Sequence, residues 1–564
     1  MKKKVISLVL GATMITSSIA GITSVSASEL QHHQNGNIIK VGTADYYGYE
    51  VDNTDLIGIY SASTKTLTFT GYSEDTIINL NKPKSKAIPT FSSSKLPKWC
   101  DSDEDLEIET IYIPDYITSL GDRCFTGLDS LKTVYAPSVT SIGAETFSDC
   151  SSLENISAPK LSKIGNYAFN GCDSLNSLTV SPNLTSIGSY AFYNCTSLNS
   201  VTGNGKVKIG SYAFSKCDSL QNFNLPNAVS LGSHCFENSD NSVLTSIYAP
   251  KATIGGYCFG EKSQTITKAT VGSLGNYALY NNTKIKTLTL SNTSSIGNYA
   301  FYGATGLTKI VAPKVTSVGS NAFENTKITE VDLRSVKTIS NYAFLECKAL
   351  TKATLGKGIT TVGTGAFLNC TKLASRMYFD NVTSIGSNAF ANCQAITCNS
   401  LGNKLTSIGS NAFAGCNAIK NLYVPSKTTK IGSNLSSTIR SINKTSVSVN
   451  SNTERINIYT PYNSTMYKLY ANNSYRKKYI KKAITKLTIS KSAITLNKGK
   501  KAKITWSIND NASNKALTFT TENTSVATFD TKGNITAKGK GTCYISISSR
   551  DGSNKIAKCK VTVK

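Results

Sequence analysis

Ile164-Gly165-Asn166-Tyr167-Ala168-Phe169 is one copy of a segment that returns about every 22 residues. The glycine register runs Gly121, Gly143, Gly165, Gly188, Gly210, Gly232, Gly255, Gly275, Gly297, Gly319, then Ser340, Gly363, Gly386, Gly409 and Gly432. That makes fifteen copies, spaced 20 to 23 residues apart. An aliphatic residue precedes almost every one, and a small-then-Phe pair follows, as in Ala191-Phe192 and Ala343-Phe344. A unit this short cannot bury an apolar face alone, so a fixed period of this length implies stacked turns of a solenoid. A stack of this kind is mainly a surface, and a binding protein is the function class it favours.

Working outward, one repeat reads Leu131-Lys132-Thr133-Val134-Tyr135-Ala136-Pro137, then Val139-Thr140-Ser141-Ile142-Gly143, then Thr146-Phe147. The first piece predicts a short strand with alternate residues inward. Prolines such as Pro137, Pro159 and Pro250 stop such strands. The Ile-Gly step ends a second extended piece, and the Ala-Phe pair predicts a short helical or 3-10 turn that drives Phe into the core. The fold class is thus a β-rich solenoid, an arc of about fifteen rungs. Cys150, Cys172, Cys195, Cys217, Cys347, Cys370, Cys393 and Cys416 lie three residues after the repeat Phe, and Cys124, Cys235 and Cys258 replace its alanine. Slots that accept Ala and Cys alike hold small buried fillers rather than disulfides. Stacked neighbours about 5 Å apart with parallel Cβ vectors are poorly placed to bridge.

The outward strand positions predict a polar, hydroxyl-rich concave face, for example Ser177/Thr179, Ser200/Thr202 and Asn222/Asn224. Its candidate ligand-facing residues are Tyr135, Tyr248, Lys268, Lys309 and Tyr423. Tyr167, Tyr190, Tyr212, Tyr257, Tyr277, Tyr299 and Tyr342 recur two residues after the repeat glycine or Ser340. They read either as an aromatic ligand track or as rings packing on one another over the turn. His234 holds the same slot and reads as a repeat variant.

At 564 residues and 40% hydrophobic content the chain has the composition of a folded protein. Lys2, Lys3 and Lys4 precede an apolar and small-residue stretch from Val5 to Ile22, and Val25-Ser26-Ala27 is a small-x-small cleavage site. This reads as a signal peptide cut between Ala27 and Ser28, giving a secreted product. No later stretch approaches the ~18 apolar residues of a membrane span. The net charge of +26 favours anionic partners such as wall polymers or acidic glycans. Export argues against nucleic acid.

The domain reading is residues 1–27 signal, 28–106 β-rich N-terminal cap, 107–435 solenoid, 436–483 C-terminal cap and basic linker, and 484–564 a β-sandwich. Ile456 to Tyr459 reads as a last strand and Thr465 to Ile480 as a segment of helical potential. The strand near Arg376-Met377-Tyr378 loses the usual inward apolar residue by this pattern, which predicts a local irregularity. Residues 476–503 carry eleven Lys/Arg and no Asp/Glu. Arg476, Lys477, Lys478, Lys481, Lys482, Lys500, Lys501 and Lys503 are candidates to hold an anionic wall polymer, or else form a solubilising hinge. Cys543 and Cys559 are equidistant from Asp551, the centre of an expected hairpin turn, and form a candidate disulfide.

The run Ile187-Gly188-Ser189-Tyr190-Ala191-Phe192-Tyr193-Asn194-Cys195 and its copy Ile385 to Cys393 resemble the BspA-type bacterial leucine-rich repeat. The resemblance covers residues 107–435. It implies a curved leucine-rich-repeat solenoid on a secreted or cell-surface protein, and for some relatives adhesion to host matrix proteins, with no single ligand. Residues 484–564 resemble a group 2 bacterial immunoglobulin-like domain through Ser525-Val526-Ala527-Thr528, Gly533-Asn534-Ile535-Thr536-Ala537 and Lys540 to Ile547. The resemblance implies a spacer in a surface protein and, for some such domains, carbohydrate binding.

Reactive chemistry is sparse. The three histidines are His32, His33 and His234, and none has an identifiable orienting partner for base catalysis. Asp101-Ser102-Asp103-Glu104-Asp105 lacks the glycine and closing Glu of a calcium loop. No phosphate loop, zinc spacing or cofactor motif is present. The expected function is non-catalytic adhesion to an extracellular protein or glycan. A structural spacer held to the wall by the basic region is the alternative, and a polymer-degrading enzyme is disfavoured.

Overall fold

The computed structural model describes residues 30–32, 38–41, 46–50, 56–71, 87–92, 97–100, 107–237, 243–259, 266–375, 377, 379–398, 400–443, 446–454 and 456–564. The signal segment with Ala27 and Ser28, His33, Asp101–Asp105, Arg376 and Tyr378 lie outside them. The chain divides into two compact units, Met1–Thr293 and Ser294–Lys564. Both contain the same β-solenoid coil.

In the first unit most repeats give one short strand and one two-residue strand, and in Ser246–Ile254 and Lys268–Leu274 the two run together. Thr110–Tyr112, Thr133–Tyr135 and Asn155–Ser157 pair in parallel. Ser177–Val180, Ser200–Gly203, Asn222–Asn224, Ser246–Ile254, Lys268–Leu274 and Thr287–Leu290 form a second parallel run. The two-residue column runs from Ser119–Leu120 through Ser141–Ile142, Lys163–Ile164, Ser186–Ile187 and Lys208–Ile209 to Ser230–Leu231. Ala87–Ile88, well before the first glycine of the register, already pairs in parallel with Ser119–Leu120. An ideal Cβ on Gly165 would lie 2.4 Å from the carbonyl carbon of Gly143. Close approach of successive turns therefore selects glycine in this register.

Phe side chains fill the interior. Phe125, Phe147, Phe169, Phe192 and Phe214 stack face to face with centroids 5.1–5.5 Å apart. Each repeat Cys donates its thiol to the carbonyl of a Phe in the preceding coil, as Cys172 Sγ to Phe147 O and Cys217 Sγ to Phe192 O, both 3.1 Å. Every described cysteine is free, and burial pushes the Cys150 thiol up to about 12. Trp99 closes the first coil. Its Nε1 donates to Cys124 O at 2.7 Å, and its ring lies edge-on to Phe69 and Phe91.

The Ala-Phe turns are not helical. Among the described residues the helical segments are Thr465–Ala471 and the 3-10 turn Lys98–Cys100. The second residue after the repeat glycine instead takes a left-handed conformation, with φ from 54° to 60° at Tyr167, Tyr190, Tyr212, His234, Tyr257 and Tyr277. The turns are tied by bonds along the stack, such as Tyr190 N to Ser211 O at 2.9 Å and Phe192 N to Ala213 O at 2.9 Å.

In the second unit the two-residue column runs from Ser295–Ile296 to Lys430–Ile431. The Phe stack here is Phe301, Phe323, Phe344, Phe367, Phe390 and Phe413. The irregularity expected near residue 377 does not empty the core. Met377 and Phe379 are buried there, Phe379 edge-on to Phe390. Asn421–Tyr423 pairs in parallel with Asn457–Thr460, and that strand with Ile480–Lys482. The segment expected to be a cap thus adds two rungs. An antiparallel hairpin, Ser437–Asn443 with Ser446–Glu454, precedes the first of them, and the helix Thr465–Ala471 lies between the two. The hairpin's Val447 and Val449 pack on Leu345, Leu368, Ala391 and Ala414.

The last module has an antiparallel pair, Leu487–Ile489 with Trp506–Ile508, and two larger sheets. One orders Ala493–Leu496, Ile556–Val563, Gly541–Ser549 and Leu517–Thr521; the other orders Lys501–Lys503, Asn534–Ala537 and Ala527–Phe529. Ile504, Ile535, Ile545, Cys559 and Val561 form the core between them. The Cys543–Cys559 bridge is not made. The hairpin is centred one residue later than expected, so Cys543 faces Val561 and Cys559 faces Ile545. A diagonal pair of this kind sits about 7–8 Å apart, too far to bridge.

Candidate recognition surface

Strand alternation sends Val134, Leu178, Val201, Phe223 and Ile247 inward and their neighbours outward. In the first unit the outward set runs from Thr110 and Tyr112 to Thr287 and Thr289. Lys268 is the one charged residue in it. From Thr133/Tyr135 to Ser246/Tyr248 the twelve outward residues are all Ser, Thr, Asn or Tyr. The second unit differs at the same positions, with Lys309/Val311, Glu330/Asp332 and Lys352/Thr354.

The five candidate ligand-facing residues do not form one cluster. Tyr135 is 42% exposed, its ring stacked on Tyr112 at 4.7 Å and 7°. Tyr248 is 48% exposed, with Asn224 and Thr270 as register partners. Lys268 is exposed on the rung beside Tyr248, and Lys309 is exposed in the second unit. Tyr423 is not ligand-facing: it is buried with Tyr459 and Ala483. The immunoglobulin-like module explains this, because its Asp551 lies near Tyr423 and its Asn514 bonds Tyr459. The Tyr423 phenol is pushed up to about 12, by burial first and then by the Asp551 charge. Asp551, itself buried, accepts from Ile484 N at 2.6 Å and from Ser553 N at 3.0 Å. Ser513 exchanges two 2.8 Å bonds with Lys482 through its hydroxyl and its N–H.

The basic run is likewise divided. Arg476 is half-buried, its Nη2 donating to Asn434 Oδ1 at 2.7 Å. Lys478 lies over the Tyr479 ring at 4.9 Å, Lys482 over Tyr462 at 4.6 Å, and Lys481 Nζ donates to Lys478 O. Lys477 is exposed. Lys500, Lys501 and Lys503 are exposed on or beside a strand of the module.

The tyrosine column takes the second of its two sequence readings, rings packing on one another. Tyr167, Tyr190, Tyr212, His234, Tyr257 and Tyr277 stack consecutively at 4.6–5.1 Å and within 10° of parallel. In the two coils before Tyr167, the slot holds Arg123 and Glu145, joined by bonds of 2.9 and 2.6 Å. A bulky left-handed residue costs about 1 kcal/mol, and a ring stack returns about 0.5–1.5 kcal/mol. The two nearly cancel, so mutual packing accounts for the column. His234 Nδ1 lies 2.8 Å from Glu237 Oε2, a carboxylate partner that the sequence did not identify, and its ring stacks between Tyr212 and Tyr257. Within the described residues, no helix is long and apolar enough to cross a membrane.

Among solved structures, a leucine-rich repeat protein from Bacteroides ovatus aligns at 20% identity over 68% of this chain and 94% of its own, with a TM-score of 0.39. One from Eubacterium ventriosum aligns at 22% identity over 66% and 96%, with a TM-score of 0.35. A leucine rich cell surface protein from Faecalibacterium prausnitzii aligns at 20% over 68% and 89%, with a TM-score of 0.24. No curated protein matches. Residues 511–551 match the intimin immunoglobulin-like domain. The BspA type leucine rich repeat region matches in six copies, over residues 103–208, 140–267, 272–397 and 337–468. With that repeat covering more than half its length, the chain belongs to the BspA-type leucine-rich repeat family.

Proposed function

We propose that this is an exported, non-catalytic recognition protein whose first-unit strand face holds an uncharged extracellular partner. The observation that carries the reading is the absence of charge from Thr133 to Tyr248 on that face, in a chain of net charge +26. At the chain's 17% charged content, twelve positions would carry about two charged residues, and these carry none. Desolvating lysines against a neutral partner is unfavourable, so a face that must be covered is best kept free of them. Membership of a repeat family found on surface proteins supports the same reading.

The test is a binding screen of the full chain against matrix proteins, mucins and glycans. Binding to a partner should persist at about 0.3 M salt, where screening acts over about 6 Å, and should be lost in Thr202→Lys and Asn222→Lys. Binding that disappears with salt and ignores those changes would refute the reading. It would favour a second one, a spacer held to an anionic wall by Lys477, Lys478 and the module lysines. The charge run of residues 476–503 supports that alternative.

A further inference from the structure

The same face has chemistry more specific than neutrality. Side chains in the neighbouring column are satisfied within the coil. Thr140 Oγ1 donates to Thr118 O at 3.0 Å, Ser162 Oγ to Thr140 O at 2.8 Å, and Thr185 Oγ1 to Ser162 O at 3.0 Å. On the strand face, Thr179, Thr202, Asn222 and Asn224 make no side-chain bond to any described residue. Their donors and acceptors are left to solvent or to a ligand. Between Tyr135 and Tyr248 no outward residue is aliphatic, whereas the core of a protein–protein interface is predominantly apolar. What the face offers is both senses of hydrogen bond without charge, plus aromatic rings at its two ends. Tyr135 has one ring face against Tyr112, and its other neighbour in the column is the small Ser157. Tyr248 stands beside Asn224 and Thr270. Five rungs separate the two tyrosines, about 24 Å at the strand spacing.

A sugar polymer matches each of these features. It is neutral, its hydroxyls donate and accept, its C–H faces lie on aromatic rings, and one sugar advances along an extended chain by about one rung. We infer that the strand face between Tyr135 and Tyr248 binds a neutral linear oligosaccharide laid across the strands. Sugars near its ends lie on the two tyrosines, and those between bond Thr179, Thr202, Asn222 and Asn224. This rests on the recognition reading above and names its ligand.

The experiment is calorimetric titration of the full chain with neutral linear oligosaccharides of about six sugars, built on glucose, mannose or N-acetylglucosamine. Disaccharides of each and a hyaluronan hexasaccharide serve as controls. A neutral hexasaccharide should bind, independently of salt, and more tightly than its disaccharide. Tyr135→Ala and Tyr248→Ala should each weaken it about tenfold, as expected for loss of one aromatic contact. Both tyrosines are exposed, and unchanged amide-exchange protection would confirm that the variants are folded. Failure of every neutral oligosaccharide, or equal binding by the Tyr135→Ala/Tyr248→Ala double variant, would overturn the inference. If sugars fail but a protein from the screen is lost on Thr202→Lys, the recognition reading stands and only its sugar ligand falls. If both fail, both fall.

Discussion

Replacing Phe192 by Ala should open the first unit from its middle. The Phe192 ring is 1% exposed and lies between Phe169, at 5.1 Å and 5°, and Phe214, at 5.5 Å and 8°. Removing it takes away two ring stacks and leaves a cavity whose walls are held by the bonds of the neighbouring coils. Phe→Ala in a core costs about 3–5 kcal/mol, and two lost stacks place this site toward the upper end. A coil packs only on its neighbours, so the loss stays local. The chain supplies its own control. Leu279 occupies the Phe slot and is fully buried, so Phe192→Leu should cost only about 1–2 kcal/mol. Amide exchange followed by mass spectrometry reads both. Phe192→Ala should raise exchange in residues of about 165–240 by more than tenfold, with limited proteolysis cutting in the same window, while Phe192→Leu should do neither. An Ala variant with wild-type protection would show that the ring stack does not hold the coils together.

Other consequences follow from the interior and the surface. The repeat thiols are buried and unpaired, so a disulfide reagent at neutral pH should leave Cys150, Cys172 and Cys217 unmodified until denaturant is added. The Cys150 thiol is held up at about 12, against about 8.5 in an unfolded chain. The folded state therefore keeps a proton that the unfolded state has lost, and stability falls as pH rises from about 8.5 toward 12. At pH 9.5 this one thiol should remove about 1.4 kcal/mol, a loss absent in Cys150→Ala when melting at pH 7.5 and 9.5 is compared. Tyr212→Asn should change stability by less than about 1 kcal/mol, since relief of the left-handed strain offsets the lost stacks; a larger fall in denaturant midpoint would contradict that balance. If Lys477, Lys478, Lys481 and Lys482 hold the protein to a wall, neutralising all four should reduce retention at low salt, and equal sedimentation with purified walls would exclude it.

The solenoid was legible because its signal is repeated. One Ile-Gly-x-x-Ala-Phe could be many things, but fifteen in register leave the stack as the fold. The cysteines were legible for the same reason, since Ala and Cys exchange in their slots. What escaped depended on partners distant in sequence. Tyr423 alternates outward by pattern, yet Asp551, 128 residues later, belongs to the module that covers it. The bridge between Cys543 and Cys559 failed on a one-residue error in the hairpin centre, which moves every cross-strand pair. The left-handed turn had a signal that went unused. The slot of Tyr167 and Tyr190 becomes Asn321, Gly365, Asn388 and Asn411 farther on, and Asn and Gly are the residues that favour φ > 0.

That slot shows how the repeat separates folding from recognition. The Phe, Gly and Cys columns are fixed by the interior: a ring to fill the coil, a bare backbone for close approach, a small filler behind it. One surface column changes where another part of the chain covers it. The residue after the repeat Phe is Thr126, Ser148, Asn170, Tyr193, Ser215 and Glu237 in the first unit, but Leu345, Leu368, Ala391 and Ala414 where the hairpin packs on it. Apolar residues entered that column where a partner inside the chain removed water. Under the recognition proposal, the absence of charge from the outward strand column between Tyr135 and Tyr248 has the same origin, a group that covers it. Among the described residues no side chain of the chain itself hydrogen-bonds Thr179, Thr202, Asn222 or Asn224. The covering group is then expected from outside, and its chemistry is constrained by the column: uncharged, rich in hydrogen-bonding groups and long enough to span five rungs.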